Sequence, residues 1–116
     1  MISPDDPPID IQSAVERLDG DRDFVLEIIG EFKNHLPERM TEIHTSLQAG
    51  DMNALCRHAH NLKGVALNIS AGPVTQVVLD LESVAVREDL AGAAALVAQL
   101  DFEVARLVDF LTNTNH

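Results

Sequence analysis

Every long segment of this 116-residue chain repeats its apolar residues with the period of an α-helix, and no stretch alternates as a β-strand would. Ile11, Ala14, Val15 and Leu18 stripe a short first helix that Asp10 caps and Gly20 stops. Asp21 opens a longer run with Phe24, Ile28, Ile29 and Phe32 on one face. Pro37 interrupts that run, yet Met40, Ile43 and Leu47 carry the stripe past it, which predicts one kinked helix of about 28 residues ending at "AGD". Asp51 caps a third helix over 52–68, "SAGP" breaks it, and Pro73 suits the first turn of the next. Val74, Val77, Val78, Leu81 and Ala85 stripe that fourth helix up to "VREDL". The last, from about residue 90 to 111, carries Ala93, Leu96, Val97, Leu100, Val104, Leu107, Val108 and Leu111. Short connections make neighbours antiparallel, so the expected fold is all-α: an up-and-down four-helix bundle with an additional short N-terminal helix. Residues 9–113 form this one domain, and residues 1–8, rich in proline and aspartate, form an extended, solvated tail.

Composition agrees with packed helices. Only 3% of residues are aromatic, with no Trp or Tyr, so Ala, Leu, Val and Ile must fill the core. A net charge of −11 argues against nucleic acid or an anionic membrane as partner, since both are bound mainly by cationic surface. The single cysteine, Cys56, cannot form an internal disulfide. No apolar run approaches the roughly 20 residues of a membrane span, and the N-terminus has no signal-peptide core. The expectation is a soluble, cytoplasmic monomer.

The stretch "CRHAHNLKGVALNIS", residues 56–70, holds the chemistry. Advancing about 100° per residue from Leu62 places Leu55, Ala59, Ala66 and Ile69 within roughly 60° of it, a buried stripe. His58 then falls about 40° from Leu62, beside the core, whereas His60 falls near 160°, facing water, with Gly64 beside it. Lys63, Cys56, Arg57 and Leu67 flank that outer face. Two imidazoles on opposite sides of one helix cannot share a metal ion. Glu31 with His35 is a chance-level pairing, and no Glu-x-x-His occurs, so no metal site is expected. Around His60 the neighbours make a usable anion site. Lys63 lies one turn away and can neutralise a bound anion, and Gly64 leaves room over the ring. A mid-helix glycine costs about 1 kcal/mol relative to Ala, so it calls for a reason. On spacing alone an ordinary surface histidine, with Gly64 as a packing accommodation, is the favoured reading, because His, Lys and Gly are common residues.

"AHNLKG", Ala59 to Gly64, resembles the phosphoacceptor motif Ala-His-x-Leu-Lys-Gly of histidine-containing phosphotransfer (HPt) domains. The resemblance runs across most of the chain: "LQAGDMNAL" before the motif, Asn68 and Ala71 after it, and "LDLESVAVR" in the following helix. It implies that His60 is the phosphorylated residue, Lys63 its electrostatic partner and Gly64 the clearance. Two positions depart from the pattern. Leu67 stands where these domains usually carry Gly or Ala, which bears on how openly the histidine is presented. Ser70 stands where Gly is usual and touches only the helix end.

The implied function is a phosphocarrier of a two-component phosphorelay. An imidazole is substantially neutral near pH 7 and nucleophilic. It would take a phosphoryl group from a receiver-domain aspartate and pass it to another receiver, between a hybrid histidine kinase and a response regulator. The receivers would supply Mg²⁺; the chain needs no cofactor and has no Gly-rich loop for ATP, so it is not expected to be an enzyme in its own right. Arg57 and Leu67 are the candidate partner contacts. The rival readings are an adaptor bundle without phosphotransfer and the dimerisation helices of a histidine kinase, whose motif carries an acidic residue where this chain has Asn61.

Overall fold

The computed structural model describes residues 7–113 as five helices: α1 (Ile11–Arg17), α2 (Arg22–Ala49), α3 (Met52–Asn68), α4 (Gly72–Val86) and α5 (Leu90–Asn113). Of the expected N-terminal tail, residues 1–6 lie outside the described residues; Pro7 is exposed, and Ile9, next to the first cap, is already buried.

Aspartates start four of the five helices. The Asp10 carboxylate accepts from the Ser13 N–H, Asp21 from Phe24, Asp51 from Ala54 and Asp89 from Gly92. Each satisfies a backbone donor that the first helical turn leaves unpaired. The start of α4 has no side-chain cap and instead places Pro73 in its first turn. Three helix ends close in the same way, with one residue in the left-handed region. Gly50 does this after α2 (φ 68°), Ser70 after α3 (φ 58°) and Glu88 after α4 (φ 57°). In each, the next N–H reaches back to a carbonyl in the last turn, as Ala71 does to Ala66 at 2.9 Å. Ser70 thus takes on a left-handed backbone that glycine would adopt without strain.

The bundle closes as a ring: α3 packs on α2 and α4, and α5 packs on α4 and α2, while α1 lies against α2. The molecule is 40 Å long and 25 by 23 Å across, and α2 alone has 28 residues. A helix of that length spans about 42 Å, so helices joined by two or three residues have to fold back on one another. Leu36, Ile43, Leu55, Leu62, Ile69, Leu81, Leu100 and Leu107 are the largest fully buried side chains of the core.

Pro37 does not divide α2, which continues through it with Leu36 and Met40 buried on either side. The phase of its first turns differs from the expected stripe. Val25 is in the core and Phe24 is 47% exposed, because Val25, Ile29, Phe32 and Leu36 follow one i, i+4, i+7 line and Phe24 lies one residue off it. The last helix runs two residues past the expected end, and its inner side includes buried Glu103, paired with Arg106 at 2.7 Å.

Candidate functional site

The buried line of α3 is Leu55, Ala59, Leu62, Ala66 and Ile69, all at 0% exposure, which fixes the rotation of the helix and hence both histidines. The His58 side chain is 22% exposed and turned toward α2, its Nδ1 3.6 Å from Glu42 Oε2. His60 is 66% exposed at the middle of the helix. They face opposite neighbours and share nothing.

His60 is not alone on its side. Its Nδ1 lies 3.6 Å from Oε2 of Glu82 on α4, a separation of ion-pair length that is too long for a formed hydrogen bond. The same carboxylate meets Lys63, whose Nζ is 3.1 Å from Oε1 and donates to Oε2 at 3.5 Å. Lys63 was expected on the open outer face; instead it is largely covered, because the α3–α4 contact brings Glu82 beneath it. The charges of Lys63 and Glu82 cancel, so of the two cations expected on that outer face only Arg57 stands exposed.

Sequence reasoning assigned Glu82 no role, although a signal was present. Glu82 follows fully buried Val78 by four residues, so it sits about 40° from the apolar stripe of α4, where a polar side chain must look across to the next helix. His58 was placed by the same rule.

Gly64 resolves the question its sequence position raised. A Cβ built there meets nothing within 4 Å, so no packing within the bundle demands a glycine. The space it leaves opens outward, one turn from His60. Leu67 is 53% exposed, on the same outer side, and its carbonyl accepts a hydrogen bond from Arg17 of α1. Leu79 and Val86, three residues before and four after Glu82 on the same side of α4, are also exposed. His35 and His44, the remaining histidines of α2, lie elsewhere: His35 lines a groove with His58 and Glu42, and His44 pairs with Asp101 of α5 at 2.8 Å. Among the described residues no group of three or more metal-ligating side chains converges, and no helix is long and apolar enough to cross a membrane.

Known proteins share this fold. The chain is similar to histidine-containing phosphotransfer protein B of Pseudomonas aeruginosa, with a TM-score of 0.82 and 29% identity over 91% of this chain and 92% of that one. The HPt domain of a sensor hybrid histidine kinase from Shewanella has the same fold, with a TM-score of 0.74 at 18% identity, covering 94% of this chain and 97% of that one. The phosphorelay intermediate protein rdeA of Dictyostelium discoideum is 23% identical over 95 residues, and the chain, matched over 82% of its own length, spans 37% of that relative. The Hpt domain family model matches residues 27–110, from the second turn of α2 to the last turns of α5, and the chain belongs to that family.

Proposed function

We propose that this chain is a phosphocarrier of a two-component phosphorelay, accepting a phosphoryl group on His60 from the aspartate of one receiver domain and delivering it to the aspartate of another. The observation that carries the reading is the open space at Gly64 beside an exposed imidazole. The helix bears a glycine cost of about 1 kcal/mol with no compensation inside the bundle. Clearance for an incoming group is the compensation.

Nδ1 of His60 is the nitrogen nearest Glu82, which leaves Nε2 for the incoming phosphorus. The Nε2 lone pair forms the N–P bond as the P–O bond to the receiver aspartate breaks and the carboxylate departs; onward transfer reverses these steps. The phosphoryl group is nearly dissociated at the transition state, so placement and neutralisation of charge dominate. Lys63 provides the positive charge on this side, and Mg²⁺ belongs to the receiver. The chain itself carries no cofactor and works as a cytoplasmic monomer between a hybrid histidine kinase and a response regulator. Exposed Leu67, Leu79 and Val86 supply apolar contact around the histidine, with Arg57 at the rim.

The test is incubation of the purified chain with receiver domains bearing labelled aspartyl phosphate. A carrier takes up acid-labile label; an adaptor bundle takes up none.

A further inference from the structure

Lys63 has two claimants. In the structure it is held by Glu82, and in the phosphorylated state it must serve the phosphoryl group on the neighbouring ring. We propose that Glu82 is a positioning residue that acts through Lys63: it competes with the phosphoryl group for the ammonium and so keeps the phosphohistidine a ready donor. The inference rests on the phosphocarrier reading.

Three observations support it. First, Glu82 reaches both groups at once, with Oε2 3.6 Å from His60 Nδ1 and Oε1 3.1 Å from Lys63 Nζ. A phosphoryl group on His60 therefore arrives within the reach of the same lysine, one turn along α3. Second, the Lys63–Glu82 contact is an ion pair more than a directed bond: Nζ is 3.1 Å from Oε1, which is enclosed without an aligned donor, and the hydrogen bond to Oε2 is long, at 3.5 Å. An ammonium held by charge more than by directed bonds can turn from one anion to another. Third, no other cation lies within ion-pair distance of Glu82 except the His60 ring itself, among the described residues. Apart from that ring the carboxylate has no substitute when Lys63 leaves, so it keeps pulling the ammonium back.

A carrier in a relay needs a phosphoryl group that is stabilised enough to survive between encounters and no more. If Lys63 were free, it would bind the phosphoryl oxygens fully and deepen the resting phosphohistidine, which shifts the equilibrium of label toward the carrier. Competition from Glu82 limits that. The carboxylate thus sets how strongly the carrier retains its cargo, while the nucleophile and the transfer step remain those of His60.

Glu82→Gln separates this role from a merely structural one. The variant keeps side-chain shape and removes the negative charge. The expected result is uptake of label with a phosphohistidine that lives longer and a carrier-to-receiver distribution of label shifted about five- to tenfold toward the carrier, within the range for coupled charges in contact. In a Lys63→Gln background the same Glu82→Gln change should shift the distribution little, since the group through which it acts is gone. Thermal melts of all variants verify that each is folded. A Glu82→Gln variant that takes up label and distributes it as wild type does overturns the inference and leaves the phosphocarrier reading intact. An undiminished shift in the Lys63→Gln background also overturns it, by placing the effect on the imidazole directly. No uptake by wild-type protein removes the reading beneath it.

Discussion

The two sides of α3 carry the same pair of groups at the same distance. On one, His58 Nδ1 is 3.6 Å from Glu42 of α2; on the other, His60 Nδ1 is 3.6 Å from Glu82 of α4. A carboxylate beside an imidazole therefore does not distinguish the side proposed to react from the other. The surroundings do. His58 is turned into a groove of about 250 Å³ shared with His35, Glu38, Arg39, Glu42 and Asn61, where its ring is mostly covered. His60 stands in solvent with Gly64 clear beside it and an ammonium one turn away. On the proposed function, access and a neighbouring cation are what turn a common pair into a site.

Exchanging the two histidines breaks the comparison most sharply. His60→Ala should abolish phosphoryl uptake while changing stability by less than about 0.5 kcal/mol, as surface substitutions do. His58→Ala should keep uptake and lose about 1 kcal/mol, since it removes a half-buried side chain that bridges two helices. Label uptake and denaturant melts on the two proteins give a crossed pattern if the sides differ as described. Equal uptake by both variants would put the phosphoryl group elsewhere.

Leu62 and Leu67 extend the contrast from the histidines to their neighbours. Truncating fully buried Leu62 to Ala should cost about 2–5 kcal/mol of stability. The Leu67→Ala change should leave the melting temperature nearly fixed and weaken receiver binding by about 1–2 kcal/mol, the scale of an apolar contact near an interface centre. Calorimetric titration with a receiver domain beside a thermal melt checks both. A large stability loss at Leu67 with unchanged binding would make it a core residue.

The apolar period was enough to read the rotation of α3, because five residues of one line lie at 0% exposure and leave a single orientation. Short connections and the length of α2 likewise determined the antiparallel ring. What stayed hidden were relations between helices. The wheel of α3 puts Lys63 near the outside, but only the packing of α4 shows that Glu82 comes up beneath it and holds it. Phe24 misled for a related reason: the end of a helix has fewer residues to fix its phase, and a neighbouring phenylalanine outweighed the valine that in fact continues the line. Gly64 was ambiguous in sequence, since a packing glycine and a clearance glycine look alike until the space around it is known.

That ambiguity yields a smaller prediction with opposite signs. Gly64→Ala should stabilise the domain by about 0.5–1 kcal/mol through helix propensity, with no clash to oppose it. It should at the same time slow phosphoryl uptake. Loss of stability would mean that the bundle needs the glycine after all, contrary to the open space seen there.

The smallest effect concerns α1, which meets α3 at Leu67 and Ser70 and not at His60. The Asp10 carboxyl is held below the ordinary carboxylate value by the Ser13 N–H and then by the Ser13 hydroxyl. A depressed value means that this cap contributes fully above the unfolded-state value near about pH 4 and is lost as pH falls through the lower folded value. Hydrogen exchange of the α1 amides should quicken in Asp10→Ala at neutral pH, and the difference from wild type should vanish in acid. The α3 amides around His60 should not respond.

The central claim is that exposure on one side of α3 selects the histidine that is phosphorylated, and that Glu82 at Nδ1 leaves Nε2 as its reacting nitrogen. Nitrogen-15 and phosphorus-31 NMR of the chain after reaction with a phosphorylated receiver locates the N–P bond directly. The account predicts a single phosphohistidine, at Nε2 of His60, with the His58 ring unchanged. A bond at Nδ1 of His60, on the edge facing Glu82, or at either nitrogen of His58, would contradict it.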